Sequence, residues 1–476
     1  MAKFNKQQTI RTTNKSGHAA YSMADKEKLV TQILTSFFNE KKFYGDNSEE
    51  MKETIKRVVD SDPAFIAKLA VFARREFNMR SVSHVLIAHL ANAPAGKPFT
   101  RDAVSSVCLR GDDATEIMAC YLDMFGKPIP NALKKGLNDV LTGFDEYTLA
   151  KYKGAGKTVK MRDLLCLCRP TPKNEAQSAL WKKCLENTLE TPYTWETELS
   201  AKGNNAETWY QLIESGKVGY MALLRNLRNI INANPANIDK VYNTISDPNA
   251  VRRSRQLPFR YLSAYKELQN IGSSRLYDVL EDAIEASIAN IPRIPGRTVI
   301  AVDTSGSMSC YTISTKSKVF CVEIAKLLGL IANKICDDSI FYTFDTSIKK
   351  SPLSKRAGIL QTACEPTNGG GTNMFLPFKQ MIKDNIQADR VIILSDNECN
   401  GGWRSKPVQT LADEYRKKSG NDIWVHAIDL QGYGTQQFHG SKTNVIAGWS
   451  EKVFQYINLA EQGAETLLKA VENYKY

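Results

Sequence analysis

Six residues, Ile291-Pro292-Arg293-Ile294-Pro295-Gly296, separate two kinds of sequence in this 476-residue chain. Before them, from about residue 24 to 290, amphipathic stretches alternate with short breaks at Asp62-Pro63, Lys127-Pro128, Arg169-Pro170-Thr171-Pro172, Asn234-Pro235 and Asp247-Pro248, which predicts helix after helix. At 100° per residue, Leu223, Leu224, Leu227, Ile230 and Ile231 share one face of a helix and Arg225, Arg228, Asn229 and Asn232 the other. Some 270 residues of short helices suit stacked helical pairs of about 40 to 47 residues each, although no self-similar motif recurs at that period. After the break, strand and helix patterns alternate: strands at 297–302, 339–344, 391–394 and 423–428, with helices at about 317–335, 373–385 and 406–418. This predicts a doubly wound, mostly parallel sheet, with domains at 1–296 and 297–476.

In an open α/β sheet ligands bind beyond the carboxyl ends of the strands, so the residues that follow each strand are the ones to inspect. Strand 297–302 runs into Asp303-Thr304-Ser305-Gly306-Ser307, one carboxylate and two hydroxyls in a single turn. Asn368-Gly369-Gly370-Gly371-Thr372 offers a further hydroxyl, and strand 391–394 ends at Ser395-Asp396. A few hard oxygens completed by water is the preference of Mg²⁺, leaving a position for an outside carboxylate or phosphate. The five positions Asp303, Ser305, Ser307, Thr372 and Asp396 resemble the metal-ion-dependent adhesion site of von Willebrand factor A domains. That resemblance implies direct ligation by Ser305, Ser307 and Thr372, with Asp303 and Asp396 ligating directly or through water. The alternative is a merely polar turn. Asp396-Asn397-Glu398 departs from the pattern, where many such domains have Gly after the Asp, and Glu398 stands to add charge beside the site.

The chain has 63 Lys and Arg against 51 Asp and Glu, and most of the excess lies before residue 297, with 42 basic and 33 acidic groups. That points to a polyanionic partner for the helical part. The densest run, Lys151 to Lys173, holds Lys151, Lys153, Lys157, Lys160, Arg162, Arg169 and Lys173 against Asp163 alone. Gly154 to Thr158 imitates the end of a P-loop, but Lys151 stands where the first Gly is needed. A second cluster, Arg252, Arg253, Arg255 and Arg260 with Tyr261 and Tyr265, mixes cations and aromatics as single-strand-binding surfaces do. Both segments also read as solvated edges.

Other classes fit less well. No apolar run approaches the roughly 18 residues of a membrane span, and the N-terminal residues lack the apolar stretch of a secretory signal. Ten cysteines without a C-x-x-C pair read as reduced thiols of an intracellular, cytoplasmic protein. Five histidines show no metal-ligand spacing, and His84 and His89 fall on an apolar helix as core residues. Two evident carboxylates, Asp303 and Asp396, are too few for a two-metal phosphodiesterase. The expectation is therefore a binding protein and not an enzyme.

The helical part fused to such an A domain, with Tyr152-Lys153, Arg162-Asp163-Leu164-Leu165, Ala222-Leu223-Leu224-Arg225-Asn226-Leu227, Leu257-Pro258-Phe259, Gly370-Gly371-Thr372 and Ser395-Asp396-Asn397-Glu398, resembles the Ro 60-kDa ribonucleoprotein family (TROVE module plus von Willebrand factor A domain), in a bacterial or phage form. The resemblance implies an α-helical, HEAT-like repeat ring followed by the α/β A domain. It also implies single-stranded RNA 3′ ends in a central hole, structured Y-like RNA on the outer surface, a role in RNA quality control, and an exoribonuclease as partner. About seven inner helices roughly 10 Å apart enclose a hole of about 12 Å once helix radii are subtracted, enough for one strand and not a duplex. Lys151, Lys153, Arg162, Arg169, Arg225 and Arg228 are the candidates for the hole, with Arg225 foremost, and Arg252, Arg253 and Arg255 for the outer surface. The competing reading is a metal-dependent protein scaffold in which an acidic residue of a partner completes the ion's coordination.

Overall fold

The computed structural model describes residues 10–36, 48–310, 312, 317–402, 406–463 and 466–476. The described residues fall into two compact units, one of residues up to 36 with 202–467 and the other of 48–201 with 468–476.

The second of these is helical. Ser48–Ser61, Pro63–Glu76, Ser81–Asn92, Lys97–Val107, Gly111–Phe125 and Asn131–Leu141 pack on sequence neighbours or next neighbours, as stacked helical pairs do. The Asp-Pro breaks are helix starts: Asp62 Oδ1 accepts the Phe65 amide at 3.0 Å, and Pro63 supplies the first helical residue, where no N–H is needed. Asp247 and Pro248 repeat this at Pro248–Ser254. Two of the other three breaks are helix ends. Arg169 and Asn234 close Met161–Cys168 and Tyr220–Ala233 with left-handed backbones, φ 51° and 50°. His84 lies in the core beside Asp113, and His89 packs its ring edge on Phe125.

The first unit joins helices to a sheet. Strands β1 (Arg11–Thr13), β2 (Ala19–Ser22), β3 (Ile294–Asp303), β4 (Cys336–Phe344), β5 (Ile348–Lys350), β6 (Arg390–Ser395), β7 (Trp424–Asp429), β8 (Thr435–Gln436) and β9 (Thr443–Ala447) make two sheets. The larger has the order β5-β4-β3-β6-β7-β9, parallel except for β5 at one edge; the smaller is β1-β2-β8, antiparallel. The four expected strands form its centre, with the expected helices as Cys321–Ile335, Leu376–Lys383 and Gln409–Ser419. Alternation sends Val299 and Ala301 into one core with Tyr342, Val391, Val425, Phe378 and Tyr415. On the opposite face Cys321–Ile335 packs on β3 and β4, and a Cβ on Gly329 would stand 2.7 Å from Val302.

Ala206–Glu214, Tyr220–Ala233, Ile238–Ser246, Pro248–Ser254, Pro258–Leu268 and Ser274–Ile288 belong to this unit too. They attach to the sheet domain by polar contacts. The Glu281 carboxylate accepts the amides of Ile359, Leu360 and Gln361 at 2.8, 2.9 and 3.0 Å, capping the helix Ile359–Ala363, and Lys266 pairs with Glu323 at 2.5 Å. The compact units therefore cut the chain near 202, whereas the change of texture lies at 297. All ten cysteines are free, and among the described residues no helix is long and apolar enough to cross a membrane.

Candidate metal centre and cationic residues

The carboxyl ends of β3 and β6 bring together the turn 303–307, the glycine loop before Thr372 and Asp396, as the spacing predicts. Asp303, Ser305, Thr372 and Asp396 are buried and Ser307 is exposed at the mouth. Asp303 Oδ1 accepts the Ser305 amide at 2.9 Å and Oδ2 the Ser395 hydroxyl at 2.6 Å, which fixes the carboxylate in the turn. The Ser305 and Ser307 hydroxyls are 3.2 Å apart. The Gly306 amide donates to Gly370 O at 2.8 Å, tying this turn to the glycine loop. There a Cβ on Gly371 would fall 2.9 Å from Asn400 Oδ1, the atom that accepts the Thr372 amide at 2.7 Å.

Two facts bear on whether a cation fits. Thr372 Oγ1 and Asp396 Oδ2 are buried without a hydrogen-bond partner among the described residues. Burial, joined at Asp303 by the charge of Asp396, pushes both carboxyls above the usual range. Two carboxylates and three hydroxyls are hard donors suited to Mg²⁺ rather than to a metal that prefers nitrogen and sulfur. Among the described residues no three His, Cys, Asp or Glu side chains gather as metal ligands.

Glu398 does lie beside the site, but its carboxylate is engaged elsewhere: Oε2 accepts from Ser16, while the Glu398 amide donates to Asp396 Oδ1 at 3.1 Å. Sequence reasoning missed Ser395 and Asn400, which bond Asp303 and Thr372, and Asp429, whose carboxyl feels the charge of Asp396. Asp429 was findable, since it follows strand 423–428; it is buried, Oδ1 accepts the amides of Gln431 and Gly432 at 2.8 Å each, and burial pushes its carboxyl up to about 6. Nothing in the sequence marks Asn400.

The cationic candidates divide between the units. Lys151, Lys153, Arg162 and Arg169 belong to one; Arg225, Arg228, Arg252, Arg253 and Arg255 belong to the other. Arg225, Arg228, Asn229 and Asn232 are exposed on Tyr220–Ala233 while Leu223, Leu224, Leu227 and Ile230 are buried, as the periodicity requires. Only Arg228 of the nine forms an ion pair among the described residues, with Glu267 at 3.2 Å. Lys151 Nζ instead bonds Tyr147 Oη at 3.2 Å and lies near the Tyr147 and Tyr152 rings, and Arg252 bonds Asn249 Oδ1 at 2.5 Å. Lys157 pairs with Glu116 at 3.2 Å.

A TROVE domain family model matches residues 5–189 and 186–281, and a Ro60 vWA domain model matches residues 297–456. The chain is 24% identical over 328 residues to telomerase protein component 1 of Rattus norvegicus, across 51% of this chain and 12% of that protein. It is 26% identical over 222 residues to the RNA-binding protein RO60 of Deinococcus radiodurans, across 42% of this chain and 41% of that protein. The RNA-binding protein RO60 of Caenorhabditis elegans matches at 26% over 228 residues, across 44% and 35%. The matched segments thus span well under two thirds of these relatives. The crystal structure of the Deinococcus radiodurans Ro protein shares the fold, with a TM-score of 0.62 at 19% identity over 86% of this chain and 93% of that one. With matches that run through the helical part and then the A domain, the chain belongs to the Ro60 family, which joins a TROVE module to a von Willebrand factor A domain.

Proposed function

We propose that this chain is an RNA-binding protein of Ro ribonucleoprotein type and not an enzyme. In this reading residues 1–296 take single-stranded 3′ ends of misfolded or small noncoding RNAs in a central hole through Lys151, Lys153, Arg162, Arg169, Arg225 and Arg228. Y-like RNA binds outside through Arg252, Arg253 and Arg255, and residues 297–476 hold a divalent cation, Mg²⁺, at Asp303, Ser305, Ser307, Thr372 and Asp396. The protein acts in the cytoplasm, in RNA quality control, with an exoribonuclease as partner. The supporting observation is that eight of the nine cations lack a carboxylate partner among the described residues, so their charge is available to phosphate. Relatives named RNA-binding protein RO60 support the RNA-binding part of this reading.

A gel-shift titration at two salt concentrations tests this, using a structured RNA with and without an unpaired 3′ tail against wild type and Arg225→Glu. Salt-sensitive binding that needs both the tail and Arg225 is expected; equal binding of the two RNAs refutes threading. A second reading, a scaffold for protein partners, draws on the unpartnered Thr372 Oγ1 and Asp396 Oδ2. An ion held there would keep a position for a partner's carboxylate. Under that reading Asp303→Ala, Thr372→Ala and chelation abolish partner binding and leave RNA affinity unchanged.

A further inference from the structure

Residues 11–22 form a hairpin that neither the helical texture nor the A-domain pattern anticipates. Its second strand extends β8 at Tyr21↔Gln436 and Ser22↔Thr435, and its turn lands on the loop that follows β6. Asn14 Nδ2 donates to Cys399 O at 2.8 Å, and the Ser16 amide and hydroxyl donate to Glu398 Oε2 at 3.1 and 3.3 Å. Lys15 Nζ sits 4.3 Å from the centre of the Tyr433 ring, and His18, fully buried, packs against Phe375. The turn is itself well defined: Asn14 Oδ1 accepts the His18 amide at 2.8 Å, and Gly17 supplies a φ of 74°.

The loop gripped by this turn follows Asp396 and reaches Thr372, two of the candidate ligands. On one side, the Glu398 amide donates to Asp396 Oδ1. On the other, Asn400 Oδ1 accepts the Thr372 amide, and the Asn400 amide donates back to Thr372 O at 2.9 Å. Glu398 is 6% exposed, Oε1 has no partner, and Oε2 takes its donors from the hairpin. A buried carboxylate stripped of such donors is costly, so undocking the hairpin would force the 397–400 loop to rearrange and would take Asp396 and Thr372 with it.

We infer that the hairpin 11–22 is part of the metal centre, with Asn14, Ser16 and Glu398 as positioning residues that hold Asp396 and Thr372 in ligating register. This rests on the metal reading proposed above. Docking of the hairpin and binding of the ion then favour each other by the same factor.

The test is Mg²⁺ titration by calorimetry on the full chain: wild type, the double variant Asn14→Ala with Ser16→Ala, and Asp303→Ala as the ligand control. Losing two hydrogen bonds to the loop, together with the Asn14 bond that shapes the turn, should weaken Mg²⁺ binding about tenfold in the double variant. A second readout needs no variant of the hairpin: tryptic cleavage after Lys15 should slow in Mg²⁺ relative to chelator in wild type and be indifferent to Mg²⁺ in Asp303→Ala. Unchanged affinity in the folded double variant, or cleavage insensitive to Mg²⁺ in a wild type that binds the ion, overturns the coupling and leaves the metal reading intact. A wild type that binds no Mg²⁺ overturns the metal reading and the coupling with it.

Discussion

Arg225→Ala and Arg228→Ala, three residues apart on one helix, should differ in their effect on RNA binding. Arg228 Nη1 lies 3.2 Å from Glu267 Oε2, a carboxylate that Lys318 also reaches at 3.0 Å. Among the described residues Arg225 has no carboxylate partner, and its charge adds to burial in depressing the basicity of Arg260. A phosphate at Arg225 would release a counterion outright, whereas at Arg228 it must compete with Glu267. On a single strand each phosphate contact contributes about 0.7 to the slope of log K against log salt. Referred to 1 M salt, that is about fivefold in affinity at about 0.1 M, or about 1 kcal/mol. Arg225→Ala should therefore flatten the slope by about 0.7, and Arg228→Ala by less than half as much. Anisotropy of a labelled unstructured RNA between about 50 and 200 mM salt measures both. Equal slope changes would show that Glu267 does not shield Arg228, and an unaltered slope in Arg225→Ala would remove Arg225 from the RNA site.

Two further outcomes follow from buried polar groups. Asp113 is fully buried and accepts from Arg74 and Arg80 at 2.9 and 2.7 Å and from the amides of Leu109 and Arg110 at 3.0 and 2.9 Å, with His84 at 3.2 Å. Burial pushes its carboxyl up, but the His84 hydrogen bond and the charges of Arg80 and Arg74 outweigh it and hold it well below the ordinary range. A folded pKa below the unfolded value of about 3.9 means stabilisation that is complete above that pH and lost as acid protonates the native state. Asp113→Asn should cost about 3 to 5 kcal/mol near neutrality and lose that acid sensitivity, read from thermal melts across pH; an unchanged melting profile would contradict the assignment. Gly371→Ala places a Cβ 2.9 Å from Asn400 Oδ1 and should cost about 1 to 3 kcal/mol by overpacking, with weaker Mg²⁺ binding in calorimetry. Full Mg²⁺ affinity in a folded Gly371→Ala protein would show that the Asn400 contact does not position Thr372.

Much of the architecture was legible because it is local. A strand buried on both faces shows as the run Val299 to Val302, a two-faced helix as the spacing of Leu223, Leu224, Leu227 and Ile230, and a helix start as Asp62-Pro63. That Asp303, Ser305, Ser307, Thr372 and Asp396 gather at one end of the sheet was legible for a related reason, since parallel strands place their carboxyl ends side by side. The short edge strand β5, the hairpin and β8 were not, because segments of two to four residues carry too few positions to establish a period.

The sequence by itself determined the helical part, the α/β sheet and the oxygen donors at the strand ends, since each depends on backbone periodicity and on residue chemistry within a short window. Tertiary structure alone decided what those residues meet. It set Ser16 on Glu398 across 382 positions, paired Arg228 and not Arg225 with a carboxylate, and packed the helices after residue 202 with the sheet. Such pairings depend on which surfaces are buried together: a local pattern shows that a face is buried, but only the folded chain sets what it is buried against.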